Sequence, residues 1–135
     1  MSPGASLAMQ FVLIGIGGAI GAWLRWVVGL VALKQLGSGF PWGTTVVNLA
    51  GSLAAGFVLA MLEDRGQVGV HARAFLLVGV LGGFTTYSAL MVDTLLLARG
   101  ARPLMAGAYL ALTLLGGLLA VWLGWWVGRA VRGSS

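Results

Sequence analysis

Apolar residues run along this chain in four long, nearly uncharged blocks and do not alternate with polar ones. The blocks cover about residues 11–33, 43–62, 74–98 and 103–128. Each is about 20 residues or longer, the length at which an α-helix crosses a hydrocarbon layer about 30 Å thick. Barrel strands would instead alternate over segments of about ten residues. Punctuation falls between the blocks. Lys34 to Trp42 is rich in turn formers, Gly37, Ser38, Gly39 and Pro41 among them. Glu63 to Arg73 holds two acids, two arginines and the only histidine, His71, and reads as a water-facing loop; Arg99 to Pro103 reads as a tight turn. The pattern predicts an all-α membrane protein with one four-helix transmembrane domain over residues 1–135.

Composition sharpens this. The 135 residues are 59% hydrophobic and 8% charged, and the mean hydropathy is +0.99. A soluble domain carries roughly 25% charged residues. Lipid must therefore solvate most of the surface. A soluble enzyme and a disordered tail are excluded, and the absence of cysteine excludes a disulfide scaffold and a thiolate metal site. The first ten residues carry no Lys or Arg, so the basic start of a secretory signal is missing, and the apolar run that follows is too long for one.

The formal net charge is +5. Apart from Arg25, the basic residues flank the apolar blocks, which suits lipid headgroups better than nucleic acid. With four spans, the N-terminus, the 63–73 loop and the tail share one side. That side holds four Lys/Arg (Arg65, Arg73, Arg129, Arg132), and the other holds three (Lys34, Arg99, Arg102). Such loop charges set orientation, and a difference of one barely sets it. Either the chain inserts one way with a weak bias, or it inserts both ways and pairs as an antiparallel dimer. Small residues four apart (Gly17 and Gly21, Ser52 and Gly56, Gly79 and Gly83, Gly124 and Gly128) let helix backbones approach closely. So short a chain has little interior of its own, which favours an oligomer.

Polar residues inside the blocks are the candidates for chemistry, because each costs free energy unless paired. Arg25 either snorkels to an interface or attracts an anion to a pore mouth or holds a packing contact. Thr44, Asn48 and Ser52 recur every fourth residue on one helix face. The Asn48 amide is either interhelical glue or a pore ligand. In the third block, Gly82-Gly83 is followed after Phe84 by the hydroxyl residues Thr85, Thr86, Tyr87 and Ser88. Glycine and threonine both weaken a helix. This stretch is either an intact helix with a tight glycine contact or a broken helix whose freed carbonyls hold a cation and whose freed N–H groups hold an anion. Asp93 is the only acid inside any block. No side-chain metal cluster, nucleophile–base pair or nucleotide loop is present in the sequence, so an enzyme is not expected. Gly15 to Gly21 lies inside an apolar helix and is not a nucleotide loop.

Three sequence blocks resemble the CrcB/Fluc family of fluoride channels. They are Gly17-Gly18-Ala19-Ile20-Gly21-Ala22-Trp23-Leu24-Arg25, the stretch Trp42 to Ser52 with Asn48-Leu49-Ala50-Gly51-Ser52, and Gly79 to Ser88 with Gly82-Gly83-Phe84-Thr85-Thr86. With four spans and this length, the resemblance covers nearly the whole chain. It implies a third helix broken mid-membrane, an antiparallel dual-topology homodimer with two pores, and passive, selective export of fluoride across the bacterial inner membrane. It also implies that Asn48 is a pore donor and that a structural Na+ at the dimer centre is held by backbone carbonyls of Gly82 and Thr85. The family's two pore phenylalanines correspond to Tyr87 and Leu90, so this chain departs at both. Tyr87 keeps a ring whose electropositive edge can meet an anion and adds a hydroxyl. Leu90 offers neither edge nor donor. Thr86, Ser88 and Thr113 would extend a polar track. Asp93 stands near where many relatives have a glutamate.

Fluoride is small and tightly hydrated, so a selective path must replace water with close donors that still release the ion. Neutral donors suit that task, and Arg25 fits better toward one end than at the narrowest point. The competing function is a small dual-topology proton-coupled multidrug exporter. It needs a titratable acid in a central chamber, and the first two spans contain none. A third reading is a non-transporting membrane scaffold.

Overall fold

The computed structural model describes residues 3–63 and 65–133. All regular structure among them is helical. Helix α1 spans Pro3–Leu36 and α2 spans Trp42–Leu62. Helix α3, Gly66–Arg73, runs directly into a π-helical stretch, Ala74–Leu81, and then a single turn, α4, Gly82–Phe84. Helix α5 spans Tyr87–Arg99 and α6 spans Pro103–Gly133. Four helical stretches are long and apolar enough to cross a membrane: Ser6–Leu36, Trp42–Leu62, Val68–Arg99 and Pro103–Gly133.

Most helix ends lie beyond the apolar blocks; only the end of α2 and the start of α6 coincide with them. Pro3 opens α1, where its missing N–H would be unpaired in any case. At 34 residues α1 is about 50 Å long by its rise per residue, well beyond the hydrocarbon layer. The stretch 63–73, read as a loop, is helical from Gly66. It mixes charged residues with Val68, Val70 and Ala72, holds no proline, and leads straight into the third apolar block. Hydropathy marks where lipid ends, and a helix can continue into water. The hinge before it turns at Gly66 itself, with φ of 54°.

Close backbone approach organises the bundle. Helix α1 lies along the π stretch, and α2 lies along α6. A methyl group added at Gly21 would collide with the Val80 carbonyl, and one at Gly124 with the Leu53 carbonyl. The small-residue pairs are thus the seams of two tight helix pairs, where packing replaces the hydrophobic drive absent in lipid. The core is small: Tyr109 and Ala60 are fully buried, and Val47 and Leu90 nearly so. Large apolar side chains cover the outside, with Leu104, Trp23 and Trp126 among the most exposed.

The helical path lapses once within the third span. Thr85 and Thr86 are both extended, at φ −80°, ψ 159° and φ −151°, ψ 117°. Gly51 on α2 makes the room, since a methyl there would collide with the Thr85 side chain.

Candidate ion pathway

Two residues hold the lapse in place. Asn48 Nδ2 donates to the Thr86 carbonyl at 2.9 Å, and the Thr86 amide donates to Asn48 Oδ1 at 2.7 Å. The side-chain amide therefore satisfies the backbone where the helical ladder stops, as buried peptide groups require. Thr86 in turn caps α5: its Oγ1 accepts from the Ala89 amide at 3.2 Å and lies 3.4 Å from Ser88 Oγ. Upstream, the Thr85 amide and Thr85 Oγ1 both donate to the Leu81 carbonyl at 2.9 Å.

The lapse leaves the carbonyls of residues 82 to 85 without their helical donors. In a continuous α-helix, the amides of residues 86 and 89 would bond the carbonyls of residues 82 and 85. Here the first donates to Asn48 and the second to the Thr86 hydroxyl. The Gly82 and Thr85 carbonyls thus lose their helical donors. Main-chain oxygens freed in this way, those of Gly82 and Thr85 among them, are the ligand type a hard monovalent cation takes. Among the described residues there is no side-chain cluster suited to a metal.

A groove of about 510 Å³ runs beside the lapse. Asn48, Thr86, Tyr87, Leu90 and Thr113 line it, as do Gly82 and Thr85. Seven of the nine residues assigned to a pore, its mouth or a cation are therefore brought together. Ser88 and Arg25 do not line it; Arg25 is half-buried on α1, one turn beyond Gly21. The groove is open to the outside of the chain. Tyr87 projects outward, 70% exposed, whereas Leu90 is 2% exposed and belongs to the core. Thr113 is 4% exposed, and its Oγ1 has no hydrogen-bond partner. A buried hydroxyl without a partner is costly, and Thr113 is one of the residues beside Asn48 on the groove wall.

A second polar cluster lies one helical turn away. Thr44 Oγ1 donates to Asp93 Oδ2 at 2.7 Å, and the Tyr109 hydroxyl donates to the same oxygen at 3.1 Å. Asp93 thereby joins α2, α5 and α6. Tyr109 was missed in the sequence reading, although it precedes Thr113 by four residues and so shares its helix face. Ser52 also lines the groove.

Comparison with known families decides the kinship of this chain. Residues 12–125 match the family described as CrcB-like protein, Camphor Resistance (CrcB). The chain belongs to the CrcB family. This CrcB chain is 50% identical over 122 residues to a Xylella fastidiosa (strain 9a5c) protein named fluoride-specific ion channel FluC, covering 90% of this chain and 85% of that one. Proteins of the same name from Xanthomonas euvesicatoria pv. vesicatoria (strain 85-10) and Hyphomonas neptunium (strain ATCC 15444) are 47% and 45% identical, covering 89% and 90% of this chain and 94% and 96% of theirs. With four helices long and apolar enough to span, this CrcB chain is a multi-pass membrane protein.

Proposed function

We propose that this chain is a fluoride-selective passive ion channel that exports fluoride from the cytoplasm across the bacterial inner membrane; it is not an enzyme. The observation that carries the reading is the groove itself. It sets the Asn48 amide, which keeps a second N–H to spare, and Thr113, whose buried hydroxyl has no partner, beside the backbone lapse. Neutral donors replace fluoride's hydration shell without trapping the ion, whereas a fixed cation there would hold it. The sole intramembrane acid, Asp93, already accepts two hydroxyl hydrogen bonds on one oxygen and lies outside the groove. That arrangement does not suit the binding chamber of a proton-coupled multidrug exporter.

The working unit is an antiparallel, dual-topology homodimer, with the lapse at Thr85 and Thr86 lying mid-membrane. Three features support this. The loop charges of the two sides differ by one. The groove lacks an outer wall. Tyr87 projects from the protomer, where its ring edge and hydroxyl can reach an anion only if a second copy closes the groove. Asn48, Tyr87, Leu90, Thr86, Ser88 and Thr113 are assigned to the pore, and Arg25 to its mouth or to packing. A Na+ at the dimer centre would be held by the Gly82 and Thr85 carbonyls of both protomers and would supply fixed positive charge that locks the two lapses together. Here Asn48 and Thr86 prepare that site by drawing the competing amides away.

Growth of a fluoride-hypersensitive bacterial strain tests the reading. Expression of this chain should restore growth in fluoride, and the Asn48→Asp variant, made at equal level, should not. Equal failure of both would exclude fluoride export.

A further inference from the structure

A second cavity, of about 640 Å³, opens at the end of the bundle where α1 stops and α6 begins. Thr44 and Asp93 form its floor, and the Gly37–Phe40 loop and the turn at Gly100 and Arg102 border it. The floor adjoins the proposed ion route, because Thr44 precedes Asn48, and Tyr109 precedes Thr113, by one helical turn.

Arg102 is the only cation lining this cavity. Its position is built. Ala101 takes a left-handed backbone conformation at φ 59°, a strained choice for a residue with a Cβ. That turn lets the Arg102 amide donate to the Leu97 carbonyl at 3.1 Å. The guanidinium then reaches across to the opposite loop, where Nη1 donates to the Gly39 carbonyl at 3.1 Å. The Arg102 guanidinium thus stands at the rim, tied to the opposite loop by this one bond. The other charge on the cavity is the Asp93 carboxylate, half satisfied by Thr44 and Tyr109. Lys34 and Arg99 stand at the same end but do not line the cavity, and no acid lies in either connecting loop, 37–41 or 100–102.

We propose that Arg102 is the anion-gathering residue of this mouth: it offsets the Asp93 charge and raises the local fluoride concentration above the polar ladder of α2. This rests on the fluoride-channel reading. A unit charge acting over about 10 Å of water raises local anion concentration about twofold at low salt. The effect disappears as the screening length shrinks from about 30 Å at 0.01 M to about 3 Å at 1 M ionic strength.

Fluoride efflux from proteoliposomes at those two ionic strengths is the first test. Arg102→Gln should run at about half the unsubstituted rate at 0.01 M and equal it at 1 M, by the same estimate. Arg102→Lys should keep most of the low-salt rate, and Arg99→Gln, whose charge lies off the cavity, should lose clearly less than Arg102→Gln. An Arg102→Gln rate that does not depend on salt relative to the unsubstituted chain, or an equal loss in Arg99→Gln, would overturn the proposal. A second test needs no conduction. The chain has no cysteine, so Ser38→Cys places a single thiol on the cavity wall. At low salt, the rate ratio of an anionic to a cationic methanethiosulfonate should fall about fourfold on adding Arg102→Gln, twofold for each reagent. An unchanged ratio refutes the proposal even if fluoride flux is normal. Absence of flux from the unsubstituted chain would instead refute the channel reading, and the ratio would still decide the role of Arg102.

Discussion

Asn48 and Thr86 lie 38 positions apart and are joined by two hydrogen bonds, one given and one received by the same side-chain amide. That amide does for the backbone what a neighbouring strand does in a sheet. It occupies Asn48 Oδ1 and one N–H, and leaves the second N–H to spare. Interhelical glue and pore donor, which compete as readings of the sequence, are therefore compatible in one residue.

Replacing Asn48 separates the two roles. Asn48→Ala leaves the Thr86 N–H and C=O unpaired, each at a cost of about 1–3 kcal/mol. Thermal denaturation of the purified protein should show a clear loss. Asn48→Asp keeps the acceptor for the Thr86 amide but removes both donors and adds a charge facing the Thr86 carbonyl. Fluoride flux should drop about tenfold or more, corresponding to at least about 1.4 kcal/mol of lost interaction. Flux unchanged in Asn48→Asp would take the residue out of the pore.

Thr113 offers the converse case. Its Oγ1 has no partner within the protomer, so Thr113→Val sacrifices no internal hydrogen bond and relieves a buried polar group. Stability should hold or rise while fluoride flux falls. Lower stability with normal flux would mark the hydroxyl as structural.

Leu90 is core as well as groove lining. Leu90→Phe would introduce a ring where little space exists, at a cost of about 1–3 kcal/mol, and would press into the groove. Both melting temperature and fluoride rate should change. A variant with unaltered rate and selectivity would place this position outside the ion path.

The α2–α6 seam should tolerate almost nothing at Gly124. Gly124→Ala drives a methyl group into the Leu53 carbonyl, and neither backbone can yield without moving its helix. Destabilisation of about 1–3 kcal/mol is expected, visible as reduced yield and melting temperature. Gly107, where an added methyl meets nothing, should accept the same change silently.

The four spans were legible because lipid writes itself into a sequence as uninterrupted apolar runs. Helix ends were not: nothing in hydropathy tells Gly66–Arg73 from a loop, since water solvates both. The weak point at Thr85 and Thr86 was legible as glycine and threonine, but the choice between an intact and a broken helix depended on a partner on α2. Likewise Asp93 had no readable role until Thr44 and Tyr109 met it from two other helices. Leu90, marked by resemblance as a pore position, also proved to be core, a distinction only packing could make. Arg25 could not be ranked against the groove residues from its depth alone, and it stands apart from them.

The most direct measurement is anion efflux from liposomes containing the purified protein, comparing fluoride with chloride under one potassium-ionophore condition. Rapid loss of fluoride with chloride retained is the expected result, and it would show that Tyr87 and Leu90 support selective passage. No fluoride loss from protein shown to be folded and dimeric, or equal loss of both anions, would contradict a fluoride-selective channel.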